Sequence, residues 1–99
     1  MSPDETIREE RLTRYLKLAE EALSSVHIAV STHGTMRNVA EDMFRMASDY
    51  ISDAKHFVSE GKYVDAFACI NYAYGWLDAG ARTGLFDVGE DYKRFTLGR

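Results

Sequence analysis

Met36-Arg37-Asn38-Val39-Ala40-Glu41-Asp42-Met43-Phe44-Arg45-Met46-Ala47-Ser48-Asp49-Tyr50-Ile51-Ser52-Asp53-Ala54-Lys55-His56-Phe57 is the most periodic stretch of the chain. Within it Met36, Ala40, Met43, Ala47, Tyr50, Ala54 and Phe57 follow at spacings of 4, 3, 4, 3, 4 and 3. Three heptad repeats of this kind place one apolar seam along a helix. Val39, Phe44, Ile51 and Val58 widen the seam, so the helix must pack against more than one neighbour. Gly61 stands where a left-handed residue ends a helix at least cost.

Working outward, the same period resumes at once on the C-terminal side. Tyr63, Phe67, Ile70, Tyr74, Leu77 and Ala81 repeat at 4, 3, 4, 3 and 4, with Ala66 and Ala73 as a second narrow row. Gly84 is a stop, and Leu85 can fold back onto the last turn. On the N-terminal side Ile7, Leu12, Leu16, Ala19, Leu23 and Val26 form another stripe. Ser2-Pro3-Asp4-Glu5 reads as its start, with a Ser cap, Pro at the first helical position and a capping-box Glu. Glu10 and Arg14 make a favourable i,i+4 pair. Ile28 to Gly34 holds β-branched residues and cap formers, and reads as an extended connection.

No alternating run of useful length suggests a strand. The expected fold is all-α: an antiparallel three-helix bundle with helices at about 3–27, 35–60 and 62–83. Residues 1–88 form the domain, and 89–99 a partly ordered tail onto which Tyr92 and Phe95 bring some apolar surface. A span needs about twenty apolar residues; the longest apolar-looking run free of charge, Ala66 to Leu77, has 12.

Composition bounds the function. The chain has 99 residues, 45% hydrophobic, one Pro and one Cys, with a net charge of −4. Ordinary apolar content argues against disorder, and a single Cys excludes an internal disulfide framework. An acidic chain is poorly suited to gripping phosphate backbones, so no nucleic-acid partner is expected. The N-terminus resembles neither a secretory nor a transit peptide, which makes the cytoplasm the expected address.

Tests for chemistry return little. Asp49, Asp53, His56 and Glu60 line one edge of the second helix, but a di-iron bundle needs a carboxylate-x-x-His pair on two helices. Only Asp53-x-x-His56 is present, so neither metal nor cofactor is expected. Cys69 sits mid-helix among small residues, as inert thiols do. Phosphate loops, nucleophile elbows and zinc-protease motifs are missing. The Gly61-x-Tyr63-x-x-Ala66 spacing, followed by Ile70 and Ala73, resembles one tetratricopeptide unit, but such units work in arrays. The hairpin also resembles HEPN domains, yet no Arg is followed by His after the four to six residues of their catalytic signature. The chain is therefore expected not to be an enzyme.

The third helix holds what remains. Gly75 and Gly80 each cost on the order of 1 kcal/mol relative to Ala. Close packing against a neighbouring helix or ring explains such costs; a notch for a ligand or partner side chain is the alternative. Asn71, Asp78 and Arg82 share a flank at i, i+7 and i+11, with Gly75 between them and Tyr74 and Trp76 alongside. These six are the candidate interaction or ligand residues.

The Tyr50 to Phe57 stretch, the Gly61 to Phe67 stretch and, above all, Asn71-Tyr72-Ala73-Tyr74-Gly75-Trp76-Leu77-Asp78-Ala79-Gly80-Ala81-Arg82-Thr83-Gly84-Leu85-Phe86 resemble the archaeal family called domain of unknown function 357. The resemblance covers about residues 7 to 88. It implies a small three-helix protein from an archaeal cytoplasm, and it carries over no activity and no catalytic residue. The expected function is a protein-interaction or homo-oligomerisation module, with a homodimer or a protein partner. The alternative is a small-ligand or nucleotide-binding protein with a pocket on the third-helix flank.

Overall fold

The computed structural model describes residues 9–29 and 31–88. Three helices account for most of them: α1 (Glu9–Ser25), α2 (Gly34–Ser59) and α3 (Tyr63–Arg82). The all-α expectation holds, and the boundaries of α2 and α3 fall within one residue of those read from the sequence. The expected start at Ser2 and Pro3 lies outside the described residues, as do Tyr92 and Phe95.

The end of α1 needs correcting. It stops at Ser25 rather than near 27, because the next residues leave the helix to pair elsewhere. β1 (His27–Ile28) joins β2 (Phe86–Asp87) as an antiparallel ladder, His27 opposite Asp87 and Ile28 opposite Phe86. The Ala29 amide extends it by donating to the Leu85 carbonyl at 2.9 Å. Phe86 therefore belongs to the packed domain and not to a loose tail; it is buried, and Val88 packs against the same core.

The helices alternate in direction. At one end the Glu9 carboxylate lies near the Tyr63 hydroxyl, whose pKa is raised by burial and then by that charge, so the first turns of α1 and α3 lie together. Further along, the Tyr15 and Phe67 rings meet at 5.7 Å. At the far end the β1–β2 ladder joins the segments that follow α1 and α3. These two helices run side by side in the same sense. α2 runs back in the opposite sense against both: its Lys55 ammonium meets Glu20 of α1 at 3.3 Å, while its Phe44, nearer its start, meets Phe86 edge-on at 6.3 Å.

The turn from α2 to α3 is built by Gly61. Its φ of +73° is left-handed. The Lys62 amide donates to the Phe57 carbonyl at 2.9 Å and the Gly61 amide to Val58 at 3.0 Å. This pair of bonds is the Schellman arrangement, which satisfies carbonyls that the helix end would leave bare.

Alanine dominates the core. Ala40, Ala47 and Ala54 of α2, and Ala66 and Ala73 with Gly80 of α3, repeat at heptad spacing and are all buried. Small side chains on both helices let the two backbones approach closely, and the larger seam residues then flank that contact. Met43, Tyr50 and Phe57 are half-buried for this reason, and Met36, at the first turn of α2, is half exposed. α1 contributes Leu12, Ala19 and Ala22 as its fully buried positions. It rests on the α2–α3 pair as a lighter third layer.

Candidate functional site

α3 touches both other helices and β2 and is the most centrally held element of the bundle. The six residues nominated from sequence do not surround one space. Tyr74 points into the core and is buried, and its phenol pKa is pushed up to about 12, first by burial and then by the nearby Glu21 carboxylate. Trp76 is half-buried against the core. Asn71 and Gly75 are exposed, and beyond the backbone of α3 itself no atom of the described residues lies within 4 Å of where a Gly75 side chain would begin. Of the six, Asp78 and Arg82 are joined: the Arg82 Nε donates to the Asp78 carboxylate at 2.8 Å, with the guanidinium still largely exposed.

The two helix-interior glycines have different causes. A Cβ on Gly80 would lie 2.2 Å from Cδ2 of Phe86 and 2.3 Å from its Cε2. Close approach of a ring thus accounts for Gly80. Gly75 has no such neighbour among the described residues, whose packing leaves its cost unexplained.

On the outward face of α3 the sequence pointed to Gly75 and Arg82, but not to the row in which they stand. Asp65, Ala68, Tyr72, Gly75, Ala79 and Arg82 are all exposed. The uncharged run Ala66 to Leu77 therefore supplies bare surface as well as core. An amphipathic helix ordinarily covers its outer face with charge; here three turns of it carry none. Tyr72 is 62% exposed, yet its ring is held by stacking on Tyr50 of α2, with centroids 5.2 Å apart and planes 17° from parallel. The signal available in sequence was the lack of charge itself, spread over more than one face of a helical wheel.

Two other places bear on chemistry. A cleft of about 400 Å³ lies between α1 and α2, lined by Glu20, Leu23, Ser24, Phe44, Ser48, Ile51, Ser52 and Lys55. Leu23, Phe44 and Ile51 give it apolar walls, and the Glu20–Lys55 pair is part of its lining. Around Cys69, burial first, and then the carboxylates of Asp53 and Asp65, raise the thiol pKa, the opposite of what a nucleophile needs. Among the described residues no three His, Cys, Asp or Glu side chains gather as metal ligands would. His56 instead meets Glu60 at 3.3 Å. Nor is any helix among them long and apolar enough to cross a membrane.

Comparison with known proteins agrees with the fold. The family described as protein of unknown function DUF357 matches residues 14–86. The crystal structure of protein AF1782 from Archaeoglobus fulgidus, of that same family, is similar with a TM-score of 0.66 at 25% identity, over 82% of this chain and 92% of that one. Among curated proteins none matches.

Proposed function

The chain belongs to the DUF357 family of proteins of unknown function, and from that premise we propose that it is a non-enzymatic helical interaction module. The observation that carries this reading is the outward face of α3. Exposed Ala68, Asn71, Tyr72, Gly75 and Ala79 form a surface without ionised groups, on the helix best anchored in the bundle. Such a face resembles an interface core, where charge is depleted and aromatic residues serve as anchors. A rigid helix bearing small side chains also loses little conformational entropy when another helix docks on it. The small-ligand reading draws less support, because the Asn71–Asp78–Arg82 flank is open rather than enclosed and its ion pair already joins Asp78 to Arg82.

The test compares the full chain with its Ala68→Glu variant. The exposed site tolerates Glu within the fold, while a charge is placed on the docking face. Sedimentation is combined with capture of proteins from an extract of the source organism. A protein, or a second copy, bound by the wild type and lost with Ala68→Glu supports the reading. A wild type that neither self-associates nor retains anything the variant lacks overturns it.

A further inference from the structure

We infer that the outward face of α3 is a self-pairing seam, which docks antiparallel on α3 of a second copy of this chain. The inference rests on the reading of the protein as an interaction module and names its partner.

α3 carries two heptad seams. One faces inward through Ala66, Ile70, Ala73, Leu77 and Gly80, all buried. The other faces outward through Asp65, Ala68, Tyr72, Gly75, Ala79 and Arg82, all exposed, at spacings of 3, 4, 3, 4 and 3. Residues spaced in this way stay on one line when two helices wrap around each other with knobs in holes. The outward set thus has the geometry of a helix–helix contact and meets no second helix among the described residues.

The order of residues along the seam selects both the partner and its direction. In an antiparallel pair related by a two-fold axis, the first position of the seam faces the last, the second the fifth, and the third the fourth. Asp65 then meets Arg82 of the other copy at both ends. Ala68 meets Ala79, which lets the backbones approach. Each Tyr72 meets the other copy's Gly75, where, its own helix backbone aside, no atom of the described residues lies within 4 Å of an added Cβ. Size and charge are complementary in every layer. Parallel pairing would instead bring Asp65 onto Asp65, Arg82 onto Arg82 and Tyr72 onto Tyr72, and like charges repel.

The participants are prepared for this. Tyr50 holds the Tyr72 ring by stacking, so little freedom is lost on docking. Asp78 binds Arg82 through Nε, which leaves the other guanidinium donors for a second carboxylate. A seam from Asp65 to Arg82 is about 26 Å long. One helix pair of that length belongs to the small, weak class of interfaces, below about 1,200 Å². Association is therefore sought at protein concentrations up to about 1 mM.

Sedimentation equilibrium of the full chain at low salt tests the pairing. The wild type is expected to dimerise. Asp65→Arg and Arg82→Asp are each expected to weaken the dimer about tenfold or more, a loss of about 1.4 kcal/mol, and the double exchange to restore it to within about threefold. Circular dichroism establishes that each variant folds. An independent readout uses cysteines in a Cys69→Ser background: an Ala68→Cys chain mixed with an Ala79→Cys chain forms the mixed disulfide, and Ala68→Cys alone does not cross-link to itself. A wild type that remains monomeric, a double exchange no better than the singles, or cross-linking of Ala68→Cys to itself overturns the inference. The broader reading survives any of these if a different protein binds the wild type and is lost with Ala68→Glu.

Discussion

Replacing Gly80 by Ala is the most direct test of how the end of the bundle is packed. A Cβ there would stand 2.2 Å from Cδ2, 2.3 Å from Cε2 and 2.8 Å from Cγ of Phe86. Ordinary carbon contacts lie at about 3.5–4.0 Å, so the ring must retreat by more than an ångström. Tipping its far edge does not suffice, because Cγ itself is too near. Phe86 is nonetheless 3% exposed, sits in the β1–β2 ladder and meets Phe44 edge-on, so it has little room to move. Overpacking costs about 1–3 kcal/mol if the ring stays, and losing its packing altogether about 3–5 kcal/mol. Against this, Ala is better than Gly in a helix interior by about 1 kcal/mol. The expected net loss is about 2 kcal/mol, which lowers the melting temperature by about 8–16 °C in a domain of this size. Urea unfolding followed at 222 nm, at micromolar protein, measures it. Gly75→Ala is the control: its site is open, so it should stabilise by the propensity term of about 1 kcal/mol. In a Phe86→Ala background Gly80→Ala should also become stabilising, which a double-mutant cycle reads directly. If Gly80→Ala stabilises the wild type as much as Gly75→Ala does, the packing argument is wrong.

Three further expectations follow from the electrostatics. The Tyr74 phenol titrates near 12 in the folded chain against about 10 unfolded, so the folded state holds the proton longer; stability is unchanged below about pH 10 and falls between there and 12. Urea midpoints across that range should drop less steeply for Tyr74→Phe than for the wild type, and equal slopes would count against it. The Cys69 thiol, with its pKa raised by burial and then by Asp53 and Asp65, should alkylate more slowly at pH 8 in the native chain than in urea; equal rates would show that its surroundings do not restrain it. The Glu20–Lys55 bridge links α1 to α2 at 3.3 Å with both side chains substantially exposed. A double-mutant cycle on it should give under about 1 kcal/mol, diminishing with salt, and a larger, salt-insensitive coupling would be inconsistent with an exposed pair.

Much of the fold was legible because apolar spacing is a direct record of helix packing. The 4-3 repeats through Met36 and Tyr63, and the Gly61 turn between them, located α2 and α3 almost to the residue. What the spacing could not give was the centre of the stripe. Alternate seam positions are Ala, and the close contact runs through Ala40, Ala47 and Ala54, which moves Met43, Tyr50 and Phe57 to its margins. The β1–β2 ladder left no trace in the sequence, since two-residue strands are too short to alternate. Gly80 was legible as costly but not as matched to Phe86, because the ring returns to it only after the chain has turned at Gly84.

The site was less legible than the fold for a related reason. Asn71, Asp78 and Arg82 were singled out by spacing and polarity, and of these the structure joins Asp78 and Arg82. Tyr74 lies on the buried side of the same helix, where the 4-3 seam through Ile70 and Leu77 had already placed it. Gly75 was singled out, but the outward row it shares with Ala68, Tyr72 and Ala79 was hidden by composition. Its residues are the same small and aromatic types that fill the core, and period alone does not say which of two seams faces water.

The ladder also has a consequence for the order in which the molecule assembles. His27 and Asp87 lie 60 positions apart, whereas α2 and α3 meet through a turn of a few residues. Closing the longer loop costs more chain entropy, and contacts of that span tend to form late. The helical hairpin is thus expected to form first, and α1 to be drawn in and held when residues 27–29 find 85–87. The Ala29 amide, which donates to Leu85 across this closure, becomes a kinetic reporter. Its protection from exchange during refolding should lag behind that of the amides in the middle of α2 and α3.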